Sequence, residues 1–188
     1  EIGNSVFMTH KKLPDDSFEE LPKKNVDFGG GLERLLAAAN DDPDIFNTDL
    51  FSTIIEGVEA ATKHSYSEDK LKPAMRVIAD HLRAATFIIK DGITPSNKEQ
   101  GYILRRLLRR ALVKMRQLNN DFTIEAIAPI IEKVLATYDG IYFNHAEDKK
   151  KIIPIVTDEI QKFQQTLVKG LREIEKHETV DAKQAFDL

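Results

Sequence analysis

The sequence predicts a mainly α protein in which a short N-terminal β segment precedes a helical bundle. Three observations carry that expectation. Residues 1–28 hold a strand-like run, a cluster of turn formers at 14–17 and a second run returning to Val26. From residue 32 onward apolar side chains recur at intervals of three and four, the helical period. Breakers divide that region into segments of helical length: an Asp- and Pro-rich cluster at 40–44, then Asp91-Gly92 and Asp139-Gly140.

The first element is therefore a hairpin, with strand character from 2–8, a turn in Leu13-Pro-Asp-Asp-Ser and a return strand. A glycine run, Gly29 to Gly31, leads into a short helix at about 32–39. The cluster at 40–44 reads as a boundary separating residues 1–42 from a helical domain at 43–188. Next comes a helix at 48–62, N-capped by Asn47 or Thr48. Another spans 73–90, with Pro73 in its first turn and its end before Gly92. The following helix opens after Pro95-Ser96-Asn97; Ser96 and Glu99 have capping-box spacing, which places Asn97 in the first helical turn. A helix at 123–138 follows. The last runs over about 146–178, started or kinked by Pro154, with Val156, Ile160, Phe163, Leu167, Leu171 and Ile174 as its apolar seam.

Residues 91–116, DGITPSNKEQGYILRRLLRRALVKMR, are the most informative stretch for function. From Asn97 to Arg116 there are seven basic residues and one acid, in a chain of formal net charge -4. Ile103, Leu104, Leu107, Leu108, Ala111, Leu112 and Met115 make the apolar stripe of this helix. Arg106, Arg110 and Lys114 form one basic ridge, and Arg105 with Arg109 a second. A solvated charged face is the plain reading of most basic runs. Here like charges stand four apart with no acid interleaved after Glu99, and five of the seven are arginines, whose planar forks suit phosphate. RNA or another polyanion fits better. Unpaired amides and the positive dipole end near Asn97 favour the same class of partner.

A second motif, Asn25-Val-Asp-Phe-Gly-Gly-Gly-Leu-Glu-Arg34, puts three glycines before a helix and an arginine one turn into it. Without a Cβ the backbone can approach a planar or phosphorylated ligand, and the arginine can reach a phosphate; tight turns and close packing use the same residues. Asp27-Phe28-Gly29 spells the magnesium motif of protein kinases, but no kinase catalytic loop or strand-lysine motif accompanies it.

Composition excludes several classes. No run approaches the ~20 apolar residues of a membrane span. Zero cysteines remove disulfides, thiolate nucleophiles and zinc–thiolate sites, which fits a cytoplasmic protein. The histidines are scattered without ligand spacing, so no metal site is expected. Asp80, His81 and Arg83 are expected to do structural work, such as holding the basic helix in place, and Tyr102 to pack with its hydroxyl wet.

Together the motifs resemble the alanyl-tRNA synthetase family. Gly29-x-Gly31-x-x-Arg34 is similar to the third signature motif of class II synthetases, and Val26-Asp27-x-Gly29-x-Gly31-Leu32-Glu33-Arg34 to its alanine-specific form. Asp44-x-x-Asn47-Thr48-Asp49-Leu50-Phe51 resembles the next segment. Arg76-Val-Ile-Ala-Asp-His81, Pro95-Ser96-Asn97 and Gly101-Tyr102-x-Leu104-Arg105-Arg106-x-x-Arg109-Arg110-Ala111 resemble the tRNA-recognition helices. Phe163-x-x-Thr166-Leu167-x-x-Gly170 and Ala185-Phe186 extend the likeness.

The resemblance implies a β remnant of a class II catalytic domain followed by a helical tRNA-recognition domain. It implies a piece of an enzyme that joins alanine to its tRNA through an aminoacyl-adenylate, using ATP with Mg, and that is inactive as this piece alone. Arg34 would act at ATP; Asn4, Asp27, Gly29 and Gly31 would line the ATP and alanine site, with Asp27 facing the alanine ammonium. Asn97, Arg105, Arg106, Arg109, Arg110 and Lys114 would bind the tRNA acceptor stem. The family usually carries Trp where Gly3 stands, and Thr and Met where Phe28 and Gly30 stand. Outside the family, the basic helix could belong to a non-catalytic helical RNA-binding module or to a scaffold for an acidic protein.

Overall fold

The computed structural model describes residues 1–176; His177, the Ala185-Phe186 pair and the expected helix end at 178 lie outside the described residues. The chain is mainly helical, with one two-stranded antiparallel sheet at its N-terminus. It divides into two compact units, Glu1–Phe51 and the remainder from Ser52.

In the first unit, β1 (Gly3–Lys12) pairs with β2 (Phe18–Gly30). Asn4 stands opposite Gly29, Ser5 opposite Phe28 and Val6 opposite Asp27. The register shifts between Met8 and His10. There Thr9 faces the four residues 21–24, among them Pro22, which has no N–H to give the ladder. At the turn, the Ser17 amide and hydroxyl both donate to Asp15 Oδ1 (3.1 and 2.6 Å). Gly31 ends the extended run and leads into α1 (Leu32–Ala39).

The helix expected from 48 begins later, because its supposed caps serve the preceding turn. Asn47 Nδ2 donates to Asp42 Oδ2 (2.8 Å), the Thr48 hydroxyl donates to the Ile45 carbonyl (2.6 Å), and Asp44 accepts from the Phe46 amide (3.1 Å). These bonds hold a 3₁₀ turn, Ile45–Asn47, and α2 starts at Ser52 (Ser52–Thr62).

The second unit packs α2 on α5 (Ile127–Thr137), α3 (Lys72–Lys90) on α4 (Glu99–Leu118), and α6 (His145–Ile174) on both α4 and α5. Met75, Ile78 and Leu82 of α3 are fully buried, as are Leu104, Leu108 and Leu112 of α4 and Ile130, Ile131 and Val134 of α5. The stripe of α4 is narrower than its periodicity suggests, since Ile103 is half exposed. Helix α6 starts nine residues before Pro154, so that proline lies inside the helix and does not start it. Its N-terminus is closed reciprocally. Asn144 Oδ1 accepts from the Glu147 amide (3.4 Å), while Asp148 Oδ2 accepts from the Asn144 amide (2.9 Å) and from Lys90 Nζ (2.7 Å). The seam of α6 is buried at Ile152, Val156 and Ile160, whereas Leu171 and Ile174 are exposed.

Candidate nucleic-acid interface

Helix α4 buries Leu104, Leu108 and Leu112 in the bundle, and its opposite side carries cations. A groove of about 690 Å³ runs along that side, lined by Asn97, Tyr102, Arg105, Arg106, Arg109, Arg110, Val113, Lys114 and Phe163. All six residues expected to meet RNA therefore share one surface. Phe163 reaches it from α6, and the Arg109 guanidinium stacks over its ring, 4.8 Å from the centroid.

The cations are not equivalent. Arg105 Nε and Arg109 Nε both donate to Glu159 Oε1, at 3.3 and 3.0 Å, and Glu159 is buried. Arg106 and Arg110 are exposed and, among the described residues, make no hydrogen bond or ion pair. Among the described residues Lys114 Nζ donates only to Gln117 Oε1 (2.9 Å). Part of the charge left uncompensated within α4 is thus neutralised from α6, and the other ridge faces solvent.

The start of α4 differs from the capping box expected of Ser96 and Glu99. The N-cap is Lys98, and no side chain caps it. The Ser96 hydroxyl instead closes a turn on Lys98, accepting from its amide (3.3 Å) and donating to its carbonyl (3.0 Å). Glu99 has φ +48°, a left-handed conformation that prevents the helix from extending backward. Asn97 consequently lies in the loop before the helix, exposed, rather than in the first turn. Two contacts hold this loop on α4. Arg105 Nη1 donates to the Ser96 carbonyl (3.4 Å) and the Ser96 amide donates to the Gly101 carbonyl (3.2 Å). Gly101 is required by close approach: a Cβ there would collide with Ser96 Oγ and come within 2.6 Å of the Thr94 carbonyl.

In the other unit, the register sets Asn4, Val6, Asp27 and Gly29 on one face of the hairpin. All four are exposed, and a Cβ at Gly29 would meet nothing within 4 Å, leaving that backbone open to a ligand. Phe28 lies on the opposite face, against Gly3 and Gly30. Gly31 sits at the α1 N-terminus, its amide donating to the Ile2 carbonyl (3.0 Å). Arg34 lines a separate hollow with Glu1, Ala37 and Asp41, and its Nη1 donates to the Glu1 carbonyl (3.2 Å). Asn4, Asp27 and Gly29 are not among the residues that line this hollow. Among the described residues no group of three or more His, Asp or Glu side chains could hold a metal ion.

Asp80 accepts from His81 Nδ1 (2.9 Å), and this bond chiefly holds its carboxyl below the usual range. Arg83 lies over the Tyr138 ring, 5.4 Å from its centroid. Both contacts are structural, and that of Arg83 lies at the end of α5.

Three groove features escaped sequence reasoning. Tyr102, expected to pack, is half exposed in the groove. Phe163, read as seam, forms groove wall. Glu159 carried a detectable signal: an acid three residues after Val156 and four before Phe163 stands in the apolar seam, where an uncompensated carboxylate is costly.

Residues 1–188 match the family described as tRNA synthetases class II (A). An Alanine--tRNA ligase of Pediococcus pentosaceus is 40% identical over 173 residues, covering 91% of this chain and 19% of that protein. One of Enterococcus faecalis is 38% identical over 200 residues, covering 100% of the chain and 22% of the relative. One of Geobacillus thermodenitrificans is 40% identical over 174 residues, covering 91% and 19%. The chain spans about a fifth of the length of these curated relatives. With a family match across its whole length, the chain belongs to the class II (A) tRNA synthetases.

Proposed function

We propose that this chain is the part of an alanine–tRNA ligase that recognises the acceptor stem of the tRNA for alanine, together with a segment of the ATP and alanine site. The groove along α4 carries the reading: five cations and Asn97 line one surface, and among the described residues Arg106 and Arg110 of its outer ridge pair with no acid. Arg106, Arg110 and Lys114 hold stem phosphates, which gives affinity without sequence information. Asn97 reads a base edge. Its carboxamide offers both donors and an acceptor, so it can address the exposed guanine amino group of a G·U wobble pair, where a cationic side chain would only sense phosphate.

In the hairpin unit, Asp27 faces the alanine ammonium, Asn4 and Gly29 line the same face, and Gly31 sets the entry to α1. Arg34 gives up its carbonyl partner to bind ATP phosphate, stabilising charge during displacement at phosphorus. ATP is brought with Mg, whose chemistry is to neutralise phosphate oxygens. A functional division at 1–42 and 43–188, and work in the cytoplasm, go with this reading. No helix among the described residues is long and apolar enough to cross a membrane.

The test is Asn97→Ala, measured on paired hairpins that differ only in a wobble or Watson–Crick pair. Discrimination is expected to fall by about 1–3 kcal/mol, the usual worth of a base contact. Equal losses on both stems would remove Asn97 from the recognition role.

A further inference from the structure

We infer that Glu159 is the positioning residue of the basic groove: one carboxylate oxygen withholds Arg105 and Arg109 from general phosphate binding and, through Arg105, fixes the loop that presents Asn97. The inference rests on the proposed RNA-binding reading for its RNA arm but not for its geometry. Both Nε–H groups converge on Glu159 Oε1, at 3.3 and 3.0 Å. Arg105 is then oriented so that Nη1 reaches the Ser96 carbonyl, one residue from Asn97, at 3.4 Å. The Arg109 guanidinium lies over the Phe163 ring. The carboxylate is buried against α4, so water competes poorly for it, and its charge is matched by two guanidiniums.

This arrangement separates two tasks that an array of equivalent arginines would confuse. Arg106 and Arg110, exposed and without a partner among the described residues, bind any phosphate that arrives. Arg105 and Arg109 are locked, so the wall beside Asn97 keeps one shape, and the locked pair adds little to binding of a wrong stem. A carboxylate in a polyanion groove lowers raw affinity; its use is in holding geometry and in weakening every ligand that offers charge alone. Glu159 touches no ligand in this scheme and acts through Arg105 and Arg109.

The experiment compares the 188-residue chain with its Glu159→Gln and Glu159→Ala variants, after circular dichroism establishes that each is folded. The first arm needs no RNA. In arginine-detected NMR the Nε–H signals of Arg105 and Arg109 are expected to exchange slowly in the parent chain, with at least one lost in Glu159→Gln and both in Glu159→Ala. With inorganic polyphosphate as probe, both variants are expected to bind more tightly at low salt. The slope of log K against log salt should steepen by about 0.7 for each arginine released. Unchanged arginine signals, or an unchanged or shallower slope in a folded variant, overturn the inference. Loss of the carboxylate's charge alone also tightens polyphosphate binding, so the arginine signals and the wobble preference, not the sign of the affinity change, separate a positioning role from a charge effect. In the second arm, hairpins with a wobble or Watson–Crick pair are compared; preference for the wobble stem is expected to fall at least threefold in Glu159→Gln while affinity for the Watson–Crick stem rises. Retained preference overturns the link from Glu159 to Asn97. If the parent chain shows no preference for RNA over polyphosphate, the RNA reading fails, and the first arm still decides the role of Glu159.

Discussion

The Phe28 ring occupies the space above Gly3: a Cβ at Gly3 would lie 2.8 Å from two of its ring carbons, and one at Gly30 would lie 3.0 Å from a third. Gly3, Phe28 and Gly30 thus form one packing unit on the hairpin. One aromatic ring fills what the two glycines leave open, on the face opposite Asp27 and Gly29.

Coupling between these positions follows. Phe28 is largely exposed and its ring can swing aside, so Gly3→Ala is expected to cost under about 1 kcal/mol. Gly3→Trp cannot share the space. Because the chain has no tryptophan, the introduced indole reports its own surroundings by fluorescence. Its emission should be blue-shifted in Gly3→Trp combined with Phe28→Thr relative to Gly3→Trp alone. Identical spectra would mean that the ring and the glycines are not coupled.

Gly101→Ala has no such escape, because one of its obstructions is the Thr94 backbone carbonyl. The Asn97 loop must lift from α4, at a cost of about 1–3 kcal/mol. Thermal unfolding should show a midpoint lower by roughly 2–4 °C per kcal/mol, and wobble discrimination should fall with it.

The two arginine ridges should separate in a paired measurement of stability and salt dependence. Arg106→Ala and Arg110→Ala are expected to leave stability within about 0.5 kcal/mol and to flatten the salt slope for a base-paired stem by about 0.9 each. Arg109→Ala removes a bond to Glu159 and uncovers Phe163, so about 1–2 kcal/mol of stability is expected to go as well. Equal stability losses from both ridges would contradict the division.

Asp148 sets a pH dependence. Burial opposes its ionisation, but bonds from Lys90 and the Asn144 amide outweigh burial and hold the carboxyl below its ordinary range. A depressed folded pKa contributes stability that is present above the unfolded value of about 3.9 and is lost as pH falls through the lower folded value. Asp148→Asn is expected to cost about 1–3 kcal/mol at pH 7, and denaturant midpoints of variant and parent should converge at the acid end of that window. A gap independent of pH would assign the loss to packing instead.

Arg34→Ala, introduced into an enzyme containing this chain, is expected to impair alanine-dependent pyrophosphate exchange while tRNA affinity stays within about twofold, since an exposed cation outside the groove adds little to stem binding. Loss of tRNA binding with exchange intact would reverse the assignment.

What the sequence determined by itself is local and periodic. The hairpin with its turn at 14–17, the helix after Gly31, the end of α3 before Gly92 and the amphipathic character of α4 all follow from spacing and turn chemistry between near neighbours. The six cationic and amide residues of the groove were legible because one helix and its leading loop carry them all. Tertiary structure decided what depends on groups distant in the chain. Glu159 meets Arg105 and Arg109 only because α6 packs on α4, dividing one basic array into a locked ridge and a free one. Ser96 has capping-box spacing but closes a turn on Lys98 while its carbonyl is held by Arg105, and Thr48 bonds back to Ile45. A short polar side chain has several backbone partners within reach, and sequence spacing alone does not rank them; the packing around it selects which bond survives.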